Sequence, residues 1–133
     1  MQLQAIRAGA ALEPKWPLEL AFSRQSGLVQ ILETVDPKVL FGADYPYFSS
    51  FSDAWLEHCR DNATNLINAR KLNPASLVVE LASNDGYMLK NFVQAGVPVL
   101  GIDPAPGPAA AAGKIGVPTV CDFFTLDMAR TMA

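Results

Sequence analysis

The sequence predicts an α/β fold in which a partial Rossmann-like sheet of three parallel strands follows a mostly helical N-terminal segment. The first observation is that residues 75–133 alternate between short apolar runs and helical segments, in the order β-α-β-α-β-α. Such alternation is typical of parallel strands joined by right-handed crossovers. The second is that Gly96 and Gly116 end the first two helical segments, as left-handed glycine commonly does. The third is that polar turn residues follow the first two strands, where parallel sheets bind ligands.

The predicted strands cover residues 76–81, 97–102 and 117–121, and the predicted helices cover residues 87–95, 107–115 and 125–132. The first strand, SLVVEL, is an apolar run with one acid that is too short for a helix. We therefore interpret it as a buried strand. In the helix that follows, the apolar residues share one face. They are Met88, Leu89, Phe92 and Val93.

The amino-acid composition of the sequence changes at Asn73-Pro74. The proline there disfavours a helical conformation in the residue before it. We therefore expect an N-terminal helical and loop segment over residues 1–74 and the first half of a ligand-binding domain over residues 75–133. Within the N-terminal segment, residues 1–11 are faintly amphipathic and indicate a short helix or a frayed end. Residues 27–33 predict an extended stretch, and Asp36-Pro37 predicts the start of a brief helix.

A longer helix follows an aromatic loop, which we define as residues 44–51 (DYPYFSSF). Ser50 or Ser52 is predicted to cap this helix. The helix should end near Arg70 or Lys71, where basic side chains suit the negative end of the helix dipole. Its apolar residues recur at helical spacing. They are Trp55, Cys59, Ala63, Leu66 and Ile67.

The composition excludes several classes of protein. Half of the 133 residues are hydrophobic, so a packed core is expected rather than disorder. The net charge is −3 and the ten Lys and Arg residues are scattered, so we expect no binding to nucleic acid. No stretch approaches the ~18 apolar residues needed to span a membrane, so we expect a cytoplasmic protein. Cys59 and Cys121 form no CxxC pair and are interpreted as two small buried hydrophobic residues.

The candidate ligand loop is the segment from Glu80 to Gly86. Ala82, Asn84 and Gly86 occupy alternate positions, where a dinucleotide-binding loop carries glycines. Small side chains let the backbone approach a ligand, and Asn tolerates positive φ nearly as glycine does. Gly86 is predicted to open a helix whose free N–H groups face an anion or a carboxylate. The alternative is an ordinary turn, because SNDG is common in turns.

Asp103 is the second candidate, at the end of the second predicted strand. An acid there can accept hydrogen bonds from ribose hydroxyls, although Asp before Pro is also a common turn cap. Together the two strand ends indicate a nucleotide-type ligand. The missing glycines at positions 82 and 84 argue against the diphosphate of a nicotinamide cofactor. A cationic methionine portion suits Glu80 or Asp85 better, and the alternative for Glu80 is a turn cap.

The chain resembles the sugar C-methyltransferase family of S-adenosylmethionine-dependent enzymes. The matching segments cover roughly residues 17–124 and read SGLVQILETVDP, LFGADYPYFSSFSDAWLEH, SLVVELASNDGYMLKNFVQAGVPVLGIDPAP and GVPTVCDFF. The resemblance implies a seven-stranded Rossmann-like sheet preceded by a small zinc-binding module. It also implies transfer of a methyl group to a carbon of a nucleotide-linked keto-sugar, which needs a base to remove the proton beside the carbonyl.

Carried over residue by residue, the resemblance implies a set of cofactor-binding positions. They are the motif residues Glu80, Ala82, Asn84 and Gly86, the ribose acid Asp103, and the adenine contacts Asp122 and Phe123. The aromatic loop stands where the family places residues near the active site, through Tyr45, Tyr47, Ser49 and Ser50. Tyr47 is therefore a catalytic candidate, with a core or capping aromatic as the alternative. The other catalytic residues are unknown.

Two departures from the family pattern bear on function. Ser23 and Ser26 stand where the zinc module has cysteines, and serine is a poor zinc ligand, so no zinc is expected. Three strands make only part of the family sheet, so we expect a truncated chain that is inactive alone and binds S-adenosylmethionine at most. His58, on a helix before the sheet, is interpreted as structural.

Two alternatives to a methyltransferase part remain open. One is a non-catalytic binding or oligomerisation module, in which an exposed edge of the half sheet pairs with a second copy to form a homo-oligomer. The other is a nicotinamide-dependent Rossmann protein.

Overall fold

A computed structural model describes residues 15–42 and 44–132 of the chain. The short helix or frayed end predicted for residues 1–11 lies outside the described residues. The fold consists of two compact units that divide between Val39 and Leu40, and each is described by itself. Within the described residues, no helix combines the length and the apolar character that crossing a membrane requires.

The first unit contains an antiparallel hairpin. Strand β1 (Leu20–Phe22) pairs with strand β2 (Val29–Ile31), with Leu20 opposite Ile31. The predicted extended stretch at 27–33 is confirmed in β2, whereas its partner β1 was not predicted. Helix α1 (Pro37–Leu40) lies at the division between the units. The Asp36 carboxylate accepts the Lys38 N–H at 2.9 Å, which confirms the predicted cap.

Helix α2 (Asp53–Arg70) begins the main helical part of the second unit, after one turn of 3-10 helix (Ser49–Phe51). The Ser52 hydroxyl caps α2 by accepting the Trp55 N–H at 3.3 Å, and Lys71 ends it in the left-handed conformation. On its predicted apolar face, Cys59 and Ala63 are buried. Leu66 and Ile67 pack against the core, so the predicted orientation of the helix is confirmed.

The sheet of the second unit has the parallel order β3-β4-β5. Its strands are Val78–Leu81 (β3), Val99–Ile102 (β4) and Thr119–Val120 (β5). Helices α3 (Leu89–Gln94), α4 (Pro106–Lys114) and α5 (Leu126–Met132) alternate with them. In register, Glu80 lies beside Gly101, and Ile102 lies beside both Leu81 and Val120. The predicted α/β fold with three parallel strands is thereby confirmed.

The core of the second unit forms where helices α2, α3 and α4 meet one face of the sheet. Its buried members are Ala63, Leu89, Phe92, Val97, Val99, Ala112 and Val117. Val78 packs against this cluster from the edge strand β3. The helix predicted at 87–95 is shorter than expected, because residues 84–88 belong to the loop that leaves β3.

Two predictions of burial are wrong. Strand β3 is half-buried rather than buried, since Leu77, Val79 and Leu81 are 61%, 43% and 50% exposed on the face away from the core. The reason is that helices α2, α3 and α4, which supply the core, cover the opposite face. Cys121 is exposed, whereas Cys59 is buried as predicted. Strand β5 ends at Val120, so Cys121 follows the sheet instead of lying inside it.

Candidate functional site

The loop after β3 owes its shape to three residues with left-handed backbone. The φ angles of Ala82, Asn84 and Gly86 are +58°, +49° and +76°. The alternate positions predicted to act as glycines therefore all adopt the conformation that glycine favours.

The end of strand β4 is tied to this loop through Asp103. Its Oδ2 accepts the Asn84 N–H at 2.8 Å, and its Oδ1 accepts the Ala105 N–H at 2.9 Å. The carboxylate is buried, with Asp103 only 5% exposed. The two strand ends that the sequence singled out thus meet in one place. Because each carboxylate oxygen has two lone pairs, each can accept a further hydrogen bond.

Gly86 is required by packing inside the unit. A Cβ at this position would lie 3.1 Å from Val117 Cγ2 and 3.3 Å from Ala112 Cβ. Glycine therefore lets the loop pass close to the start of β5 and to α4. The Gly86 carbonyl accepts the Lys90 N–H at 3.0 Å, so helical hydrogen bonding begins here, shortly before α3.

Gly101 and Ser83 were not identified from the sequence. Ser83 is fully buried, and a Cβ on Gly101 would lie 2.5 Å from the Ser83 hydroxyl and 2.8 Å from Thr119 Oγ1. Glycine in the middle of β4 therefore leaves room for the loop after β3 and for β5 on the two sides. The available signal was a glycine inside an apolar strand, which marks a close approach of neighbouring atoms.

A cleft of about 470 Å³ opens at the carboxyl ends of the strands, a volume typical of small-molecule sites. Five of the residues that line it are aromatic, namely Phe41, Tyr45, Tyr47, Phe123 and Phe124. Ser49, Ala82, Asn84 and Asp103 supply its polar and small surfaces, and Leu81, Ile102 and Pro104 complete it.

The cleft brings together several of the residues predicted for the site: Tyr47, Ala82, Asn84, Asp103 and Phe123. Glu80, Gly86 and Asp122 do not line it. The Asp122 side chain is exposed and accepts the Phe123 N–H at 2.7 Å. The Phe123 ring stands edge-on to Phe41, with their centroids 6.4 Å apart.

Glu80 lies behind the loop, where it faces Tyr87. The pKa of Glu80 is raised to about 7, mainly by burial and to a smaller extent by the Asp103 charge, while a hydrogen bond from the Tyr87 hydroxyl acts in the opposite direction. Burial and the Glu80 charge together raise the pKa of Tyr87 to about 12. Among the described residues, no group hydrogen-bonds Glu80 Oε2, which is buried. Tyr87 had not been predicted as a partner, because nothing in a lone tyrosine indicates it.

The side chains of Asn84 and Asp85 point to the aromatic loop. Asn84 Oδ1 accepts the Ser49 N–H at 2.8 Å, and Asn84 Nδ2 donates to the Tyr47 carbonyl at 3.2 Å. Asp85 Oδ2 accepts the Ser50 N–H at 3.2 Å. The loop after β3 therefore contacts the aromatic loop with its side chains and Asp103 with its backbone.

The hairpin of the first unit does not fit a zinc ion. The Ser23 hydroxyl accepts the Ser26 N–H at 3.3 Å, and the Ser26 hydroxyl accepts the Leu28 N–H at 3.5 Å. Both oxygens thus bond to backbone within the turn, and neither is a thiolate or imidazole ligand. Within residues 15–42 and 44–132, His, Cys, Asp and Glu form no group of three or more that could hold a metal ion.

His58 lies on α2 and outside the cleft. Its ring stacks on Trp55, with centroids 5.3 Å apart and planes inclined by 23°. Trp55 in turn lies 6.0 Å from the Tyr87 ring. His58 therefore belongs to a cluster of rings that Trp55 and Tyr87 complete.

Comparison with known proteins tests the resemblance to the C-methyltransferases. No family model matches the chain. C-methyltransferase NovU of Streptomyces niveus is 34% identical to it over 121 residues, which cover 91% of the chain and 29% of NovU. The chain thus spans less than a third of that relative's length. The X-ray structure of YjhP from E. coli superposes with a TM-score of 0.37 and 16% identity, over 62% of this chain and 34% of YjhP.

The match to NovU covers nearly the whole region on which the resemblance was based, including the loop after β3 and the end of β4. The resemblance to the C-methyltransferases is thereby confirmed. The chain is homologous to C-methyltransferase NovU over 91% of its own length.

Proposed function

We propose that the chain binds S-adenosylmethionine in the cleft at the carboxyl ends of its strands, as part of an enzyme that methylates a carbon of a nucleotide-linked keto-sugar. The observation that carries the proposal is the bond between the Asn84 N–H and Asp103. The proposal is supported because residues of the left-handed loop and the buried carboxylate of Asp103 line the same cleft. Parallel α/β sheets bind nucleotides at such a point.

The lining residues suit the parts of this cofactor. Asp103 has free lone pairs for ribose hydroxyls. Phe123, beside Phe41, offers an aromatic surface for adenine, and its neighbour Asp122 orders the backbone there. The backbone of Ala82 and Asn84 can approach the methionine portion closely, since neither side chain is bulky. Glu80 and Gly86 support the loop from behind.

Bound in this cleft, the cofactor would supply an electrophilic methyl group. The contribution of this chain is to hold that group in a fixed direction and to shield it from water with aromatic side chains. Carbon methylation also needs a base for the proton beside the keto group. Tyr47 is the candidate within the described residues, because it lines the cleft and reaches it from a separate element.

Calorimetric titration of the chain with S-adenosylhomocysteine tests the proposal. A separate titration with NAD⁺ serves as the comparison. We expect the adenosyl ligand to bind and NAD⁺ not to bind, because Ala82 and Asn84 stand where a diphosphate loop needs glycines. Binding of NAD⁺ without binding of S-adenosylhomocysteine would favour a nicotinamide-dependent protein and overturn the assignment.

A second candidate function, an assembly module, is supported by the exposed face of the sheet. Leu77, Val79 and Leu81 form an apolar row along the edge strand β3, which pairs only with β4 among the described strands. Unpaired edges and apolar faces are surfaces on which chains associate. This candidate proposes a homo-oligomer of the 133-residue chain and is compatible with cofactor binding.

A further inference from the structure

We propose that Asn84 and Asp85 are positioning residues that hold the aromatic loop at the wall of the cleft. Their side chains cap the 3-10 turn Ser49–Phe51 from a distance of 35 positions in the sequence. The identity of the ligand in the cleft rests on the proposed function, whereas the capping of the turn is independent of it. The sequence predicts that Asn84 substitutes for glycine, and its side chain additionally caps the turn.

The turn needs such a cap because its own N-cap residue cannot provide one. Phe48 occupies that position, and its side chain makes no capping hydrogen bond. The first N–H groups of any helical turn lack partners within the turn. Here the Ser49 N–H and the Ser50 N–H are the groups concerned. Asn84 Oδ1 and Asp85 Oδ2 accept them at 2.8 Å and 3.2 Å.

Asn84 suits this position because of its amide group. The oxygen accepts the Ser49 N–H, and the nitrogen donates to the Tyr47 carbonyl at 3.2 Å, so one side chain binds two backbone groups of opposite polarity. A carboxylate could accept but not donate. The residue is 7% exposed, so water does not compete freely for these bonds. Asparagine also tolerates the φ of +49° that the loop requires.

The consequence is a fixed spatial relation between two walls of the cleft. Tyr45, Tyr47 and Ser49 line the cleft from the aromatic loop, while Asp103 lines it from the position directly after β4. Asn84 binds both sides, through its side chain and through its backbone N–H. A ligand that touches Asp103 and the tyrosines therefore meets a preformed site, which lowers the entropy that binding has to overcome.

Amide hydrogen exchange measured by NMR on the full chain tests the capping. In Asn84→Gly, which keeps the left-handed backbone but has no amide, we expect the Ser49 N–H to exchange about five- to tenfold faster, the usual effect of one lost hydrogen bond. The Ser50 N–H should lose protection only in Asp85→Ala. Asp85→Asn, which keeps an acceptor oxygen, is the matched control and should protect Ser50 as the natural residue does.

Binding of S-adenosylhomocysteine separates positioning from mere stability. We expect Asn84→Gly to weaken binding about three- to tenfold when affinity is measured at a temperature at which the variant is still fully folded. Unchanged protection of Ser49 in Asn84→Gly would overturn the capping. Faster exchange with unchanged affinity would overturn the positioning role. If the natural chain binds no adenosyl ligand, the proposed function fails, while the exchange pattern still decides whether the two residues hold the loop.

Discussion

The Asn84 N–H donates to Asp103 Oδ2 at 2.8 Å, across 19 positions of sequence. This bond ties the loop that leaves one strand to the end of the next strand. Because Asp103 is buried, its carboxylate depends on such donors for its charge to be tolerated. The same carboxylate is therefore part of the fold and part of the cleft, and a change at this residue affects both.

Asp103→Ala is expected to weaken binding of S-adenosylhomocysteine by about 1.5–3 kcal/mol, the usual cost of losing hydrogen bonds to a charged group. Isothermal titration measures the loss. The natural chain should also bind S-adenosylhomocysteine more tightly than it binds the 2′-deoxy analogue of this ligand. Asp103→Ala should bind the two ligands with equal affinity, because the ribose 2′-hydroxyl has lost its partner. Exposed Asp61→Ala is the control, and unchanged affinity in Asp103→Ala would contradict the assignment.

Stability should fall as the pH rises through the titration of Glu80. The folded pKa is about 7 and the ordinary value is 4.5, so the folded state holds more protons than the unfolded state between these values. The contribution of the neutral carboxyl is present below about pH 4.5 and is lost as the pH passes 7. Each pKa unit corresponds to ~1.4 kcal/mol. Because the group is only partly buried, we expect a loss of about 1–2 kcal/mol.

Urea unfolding between pH 4.5 and pH 8 measures this loss. In Glu80→Gln, which keeps an acceptor for the Tyr87 hydroxyl but does not titrate, the fall in unfolding free energy should be smaller by the amount assigned to Glu80. Glu57→Gln on the exposed face of α2 is the matched control and should follow the natural chain. Parallel pH curves for Glu80→Gln and the natural chain would show that the Glu80 pKa is not raised.

Ala82→Gly should stabilise the chain. Alanine at a φ of +58° carries the steric cost of a left-handed backbone, which glycine does not. Glycine has the larger entropy in the unfolded chain, so we expect a net gain of roughly 0.5–1 kcal/mol. Thermal or urea unfolding measures it. Ala95→Gly, at an ordinary φ of −84°, is the matched control and should not stabilise; a loss in Ala82→Gly equal to that control would refute the strain.

The chain should contain no stoichiometric zinc. Ser23 and Ser26 use their hydroxyls inside the hairpin turn, and serine does not replace the thiolates that a structural zinc site needs. Elemental analysis of protein purified without chelators measures the zinc content, with a chelator-treated sample as the reference. One zinc ion per chain would show that the N-terminal region is wrongly aligned with the family's module.

The 133-residue chain should self-associate at micromolar concentration. Burying apolar side chains contributes about 25 cal/mol per Å², and the row on β3 offers a continuous surface for this. Sedimentation velocity measures the assembly state. Val79→Lys should shift the chain to monomer, because Val79 lies in the centre of the row. Ile115→Lys, at an exposed apolar residue outside the row, is the control. A stable monomer of the natural chain would remove the assembly candidate.

Sequence alone determined the elements whose signals are local. Apolar runs of strand length predicted β3 and β4, helical spacing predicted which face of α2 is buried, and Gly96 and Gly116 marked the ends of helices. The parallel order then required the ends of β3 and β4 to be neighbours. The meeting of Asp103 with the loop after β3 could therefore be predicted, and the bond between the Asn84 N–H and Asp103 confirms it.

Tertiary structure alone decided which groups those residues contact. The Asn84 side chain binds backbone groups 35 and 37 positions away, and Glu80 faces Tyr87 instead of the cleft. Gly86 is needed for contact with Val117, 31 positions later, which no local pattern indicates. The physical reason is that periodicity and turn chemistry act over a few residues, whereas hydrogen-bond partners and close packing depend on which distant segments the folded chain brings within a few ångströms.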